Sequence, residues 1–169
     1  MSRLALIFAL STAAFASTIG VARSDPAGGQ PVDGIHCERM ESGVFHIHQH
    51  LALYDHGRPV PIPNDVGRPI AAECLYWIHT HTPDGLIHVE SPAFRSFHLG
   101  DFFDIWGQPL SATRIGPAHV AAGQLRIYLD GHPYKGNPRK IELTAHADIV
   151  LEAGAPYVKP APFTDWRGQ

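Results

Sequence analysis

Between residues 44 and 54 the chain alternates residue by residue: Phe45, Ile47, Leu51 and Leu53 form one set, and His46, His48 and His50 the other. Period two is the side-chain period of a β-strand, so the pattern predicts a strand with one apolar face and one row of imidazoles. Residues 74–80 read as a second strand, aromatic and β-branched, which puts Trp77, His79 and His81 on one face. Pro83-Asp84-Gly85 is a hairpin signal, and residues 86–90 return as a third strand bearing His88 and Glu90. With a tight turn, Thr82 faces Leu86 and His81 lies close to His88 across the ladder.

Elsewhere the punctuation is that of an all-β protein. Fifteen prolines and sixteen glycines interrupt short alternating runs, and a compact antiparallel sandwich or barrel accommodates them. Asp55-His56-Gly57 and Asp130-Gly131 mark turns, and three prolines keep residues 58–63 extended. Residues 124–129, 140–143 and 149–152 continue the β pattern. One short helix is expected over residues 99–106, stopped by Gly107, with Phe102, Phe103 and Trp106 capping the core. A gapless echo links residues 51–60 to residues 125–134, each reading as strand, glycine turn and proline-bearing return.

The first residues read as an export signal. Arg3 precedes an apolar run over residues 4–15, and Ala14-Phe15-Ala16 places small residues for cleavage after Ala16, with Ala22 the second choice. The run is too short to be a spanning helix. Residues 17–33 follow as a disordered leader, residues 34–155 as a single β domain, and residues 156–169 as a proline-rich tail, a loose end whose Trp166 docks back. The expected location is the periplasm or the outside of the cell. In that oxidising space Cys37 and Cys74, the only cysteines, are expected to pair. Such a bridge contributes roughly 3–4 kcal/mol in the loop-entropy picture. The alternative makes them thiolate ligands, since each lies near a histidine row. A formal charge of −3 without a basic cluster argues against nucleic acid as a partner.

Six of the twelve histidines fall in the three segments, a density that points to a transition metal. Residues i and i+2 of a strand are about 6.6 Å apart and can converge on one ion. Residues i and i+4 are about 13 Å apart and do not. Either His50 only supports the ligands or the row serves two ions, and the best single-ion set is His48 with His46 or His50, together with His79 and His81, and His88 as a further ligand. Glu90 and His50 are the candidate acid–base groups should the protein be an enzyme. Nitrogen ligation suits copper(II) first and zinc next, with iron or nickel behind them, and Met40 is the only methionine after the initiator to serve a cuprous thioether site. His36, His56, His98, His119, His132 and His146 are read as ordinary exposed or hydrogen-bonded side chains.

Two familiar sites come close and miss. A cupin places a glutamate soon after its His-x-His, whereas Glu90 follows His81 by too much, and an α-type carbonic anhydrase is a far longer chain. The chain resembles small exported bacterial proteins of uncharacterised function through Gly34-Ile-His-Cys37, His46-x-His-x-His-Leu51, Cys74-Leu-Tyr-Trp-Ile-His-Thr-His81, Gly85-Leu-Ile-His-Val-Glu-Ser-Pro92 and Leu99-Gly-Asp-Phe-Phe-Asp-Ile-Trp-Gly107. That resemblance covers roughly residues 34–155 and implies no particular activity. Three functions fit the residues: copper or zinc handling, a metalloenzyme (redox on copper or iron, or hydrolysis on zinc), and a pH-sensing interaction module. No nucleophile elbow surrounds Ser42, Ser91, Ser96 or Ser111.

Overall fold

The computed structural model describes residues 28–41 and 43–166. The expected signal peptide and most of the leader lie outside the described residues. The main sheet is built on β2 (Phe45–Asp55), the long alternating run. Across it the strand order is β11 (His132–Pro133), β10 (Leu125–Leu129), β12 (Asp148–Ala153), β2, β6 (Leu86–Ser91) and β5 (Ile78–His79), with β3 (Arg58–Val60) also paired to β2. Two small sheets flank it: β1 (Cys37–Glu38) with β4 (Leu75–Tyr76), and β7 (Leu110–Ser111) with β8 (Arg114–Ile115) and β9 (Ala118–His119). Among the described residues the fold is all-β with one α-helix, as expected. One pairing is parallel: β12 runs alongside β2, with Ile149 opposite Leu51 and Leu151 opposite Leu53.

The two faces of the sheet differ in kind. One carries Leu51 and Leu53, Ile87 and Val89, Ile78, and Ile149 and Leu151, all buried in a single core. The helix α1 (Leu99–Trp106) packs on that core through Leu99, Phe102, Phe103 and Trp106. Its start is held by the His98 N–H donating to Asp101 Oδ2 (2.9 Å), and its end by Gly107 at φ 68°. The opposite face carries the histidines of β2, β5 and β6, and beside them Asp148 and Glu152 of β12.

The tail covers this second face over β10 and β12. Tyr157 lies under Arg126, Val158 N–H donates to Glu152, Phe163 N–H donates to Asp148 Oδ2, and Trp166 stacks on His146. The echo of residues 51–60 in residues 125–134 is a repeated hairpin. Both turns put two successive residues at positive φ, His56 with Gly57 and Asp130 with Gly131, the geometry that matches strand twist in a two-residue loop.

Three expectations shift. Residues 74–80 do not form one strand: β4 pairs with β1 and β5 pairs with β6, and the chain changes sheets at Trp77. The β5–β6 register places His79 opposite His88, one residue away from the tight-turn pairing, because the connection is longer than Pro83-Asp84-Gly85 alone. Residues 140–143 are not a strand; Pro138–Lys140 is a 3-10 turn and Glu142 makes only an isolated bridge to His98. Cys37 and Cys74 are joined by a disulfide with Cα atoms 5.5 Å apart, so neither is a thiolate ligand.

Candidate metal centre

Register alone assembles the site. Across β2, β6 and β5, His48 stands opposite His88, which stands opposite His79, and His46 stands opposite Glu90. Paired residues on neighbouring strands share a face, so these side chains rise from one patch. His81 follows His79 by two and joins the same patch, its ring centroid 4.5 Å from that of His88. His79 is fully buried and His48, His88 and Glu90 nearly so, while His46 and His81 form a more exposed rim.

The ring nitrogens are close. His46 Nε2 and His48 Nε2 are 2.9 Å apart, His48 Nε2 and His88 Nδ1 3.0 Å, and His79 Nε2 and His81 Nε2 3.1 Å. Two ligands at about 2.0 Å from one ion, at angles between square and tetrahedral, are about 2.8–3.3 Å apart, so these separations are those of a coordination shell. Two groups have their ligand atoms within 4.8 Å of one another: His79, His81, His88 and Glu90, and His46, His48 and His88. His and Glu side chains are thus close enough to hold a metal ion.

The surroundings fix tautomer and charge. His79 Nδ1–H donates to the Tyr76 carbonyl (2.9 Å), which leaves Nε2 with its lone pair toward His81. Arg68, tied to Asp65 at 2.9 Å, donates to His81 Nδ1 at 3.2 Å and orients that ring. Burial lowers His79 and His88 to about 3 and His48 to about 4, with neighbouring imidazoles adding to the effect, and lowers His81 as well, with Arg68 second. The four rings are neutral at physiological pH, the form that binds metals. Burial and then Glu41 push Glu90 up to about 7, while its Oε1 lies 3.0 Å from His46 Nε2 and 3.6 Å from His88 Nδ1.

The five expected ligands, His46, His48, His79, His81 and His88, are all brought together, as two sets that share His88 rather than as the single-ion set of His48 with His46 or His50, His79, His81 and His88. Glu90 sits inside the cluster. His50 does not. Its Nδ1–H donates to Asp148 Oδ1 (2.8 Å) and its ring stacks on Phe163 at 3.9 Å, under the tail.

Sequence reasoning missed Arg68, Asp65 and Glu41, whose Oε1 is 3.5 Å from His81 Nε2. Their local sequence reads as plain turn and loop. Asn64-Asp-Val-Gly67 forms a turn that runs along the edge of β5 through bonds from Thr80 N–H to Val66 O and from Asp65 N–H to Thr80 O. No protein-family model, no curated protein and no solved structure matches this chain.

Proposed function

We propose that the chain is an exported metal-binding protein that handles copper(II), or zinc as the second choice. The observation that carries this reading is the cross-strand row His48–His88–His79, a run of buried neutral imidazoles whose facing ring nitrogens meet chiefly other imidazoles, those of His46 and His81 included, and Glu90. Burying so much polar surface is costly without a partner, and a cation that draws on the lone pairs removes that cost. The disulfide is compatible with an oxidising compartment. Among the described residues no helix is long and apolar enough to cross a membrane. Metal content after purification, then calorimetric titration with copper(II) and zinc(II), tests the proposal. Tight uptake is expected, and a protein that binds neither ion overturns it.

A second reading rests on Glu90. A carboxyl raised to about 7 beside ligand imidazoles is poised to give and take a proton, as a metalloenzyme needs. It favours a catalyst only if the loaded ion keeps an exchangeable water. Water-proton relaxation of the copper(II) form measures that exchange.

A further inference from the structure

The two ligand groups share one residue. His88 belongs both to the set with His46 and His48 and to the set with His79, His81 and Glu90. It is the middle residue of the row, with β2 on one side and β5 on the other. Its ring is met edge-on from both sides: by His48 at a centroid distance of 4.4 Å and an interplanar angle of 89°, and by His81 at 4.5 Å and 86°. Beyond these lie His46, 2.9 Å from His48, and His79, 3.1 Å from His81. The arrangement has two wings and a centre.

We infer that the cluster is a two-ion centre bridged by His88, with one ion on His46 and His48, beside Glu90, and the other on His79 and His81. This rests on the metal-binding reading above and adds its stoichiometry and its shared ligand. An imidazole has two ring nitrogens, and the neutral ring has only one free lone pair. When the second ion binds, the remaining N–H proton of His88 leaves to solvent, and the ring becomes an imidazolate that serves both ions. Nothing is oxidised or reduced. The charge of two cations is offset at both ends, since Glu90 Oε1 lies 3.0 Å from His46 and Glu41 Oε1 lies 3.5 Å from His81. The remaining wing nitrogens are free to turn lone pairs inward, as the bond from His79 Nδ1 to the Tyr76 carbonyl already requires for that ring.

The test is a count of ions and of spins. The full-length exported protein is titrated with copper(II), and copper per chain is compared with the paramagnetic copper seen by electron spin resonance. Two coppers per chain are expected, with a spin count well below the copper count because the shared ring couples them. His46→Gln and His81→Gln each alter one wing at the partly exposed rim, so the buried packing stays intact. Each is expected to keep one copper per chain, with spin and copper counts equal. One copper per chain in the parent sinks the two-ion centre but leaves metal binding standing. Two coppers with a full spin count sink the bridge. If copper is not taken up, zinc per chain in the same three proteins reads the same pattern, and no uptake of either ion removes both proposals.

Discussion

His48 and His88 are directly paired across β2 and β6, with Nε2 and Nδ1 3.0 Å apart, and both are buried. Each is therefore positioned by backbone pairing, and neither can turn away to solvent. Replacing either by Ala should weaken metal binding by orders of magnitude. His50 lies on the same strand, yet it is committed to Asp148 and Phe163. Its replacement by Ala should change affinity by less than the roughly 10–100-fold of a lost ligand-orienting residue. Calorimetric titration of the three variants checks the order, and equal losses at His48 and His50 would refute it.

Burial also sets the sign of the acid response of the metal-free protein. His79 and His88 titrate at about 3 and His48 at about 4 when folded, against 6.5 for an unperturbed ring. Between those values the unfolded chain binds more protons, so stability is full above about 6.5 and is lost as pH falls toward 4. Glu90, raised to about 7, works in the opposite sense: its contribution is present below 4.5 and is lost as pH rises through 7. Three rings outweigh one carboxyl. The melting temperature of the metal-free protein should fall steadily from pH 6.5 to pH 4, and a flat profile would mean that the rings are already charged in the fold.

Where residues speak through local period, the sequence was a good guide. The alternation through residues 45–53 marked both the strand and its two faces, and Gly107 marked the end of the helix. What needs distant partners was hidden. The partner of His50 is Asp148, delivered by a parallel strand pairing that no local pattern announces. The division of the ligands into two groups follows from the register of β6 against both neighbours, which hairpin chemistry alone did not fix by one residue. Arg68 reaches His81 from a turn whose sequence reads as ordinary.

The disulfide should be separable from the metal. It joins Cys37 beside β4 to Cys74, and neither sulfur is free to ligate. Thiol titration under denaturing, non-reducing conditions should find none. The Cys37→Ser, Cys74→Ser double variant should lose roughly 3–4 kcal/mol of stability and keep the metal stoichiometry of the parent. Loss of metal from a folded double variant would contradict that separation.

Gln49 lies on the core face of β2, fully buried, and neither its Oε1 nor its Nε2 has a hydrogen-bond partner among the described residues. An unpaired buried amide costs about 1–3 kcal/mol. Gln49→Met keeps length and removes both polar atoms, so it should raise stability by a comparable amount in denaturant titration. A destabilised variant would show that the amide is satisfied in solution.

Gly85 ties the hairpin to the sheet. Its carbonyl accepts the Leu51 N–H at 2.9 Å, its φ is +83°, and a Cβ there would run into the Leu51 carbonyl oxygen. That oxygen belongs to the backbone of β2 and cannot yield, so Gly85→Ala must push the turn away from the strand. A one-residue slip of β6 would carry His88 and Glu90 to the core face. Gly123→Ala is the control, because Gly123 has a similar φ of +80° with open space around it. The control should cost about 1–2 kcal/mol, the cost of a left-handed side chain, and bind metal as the parent does. Gly85→Ala should cost more and lose metal binding even where circular dichroism shows a folded sheet. Equal stability and equal metal uptake in the two variants would mean that the contact with Leu51 does not set the register that builds the site.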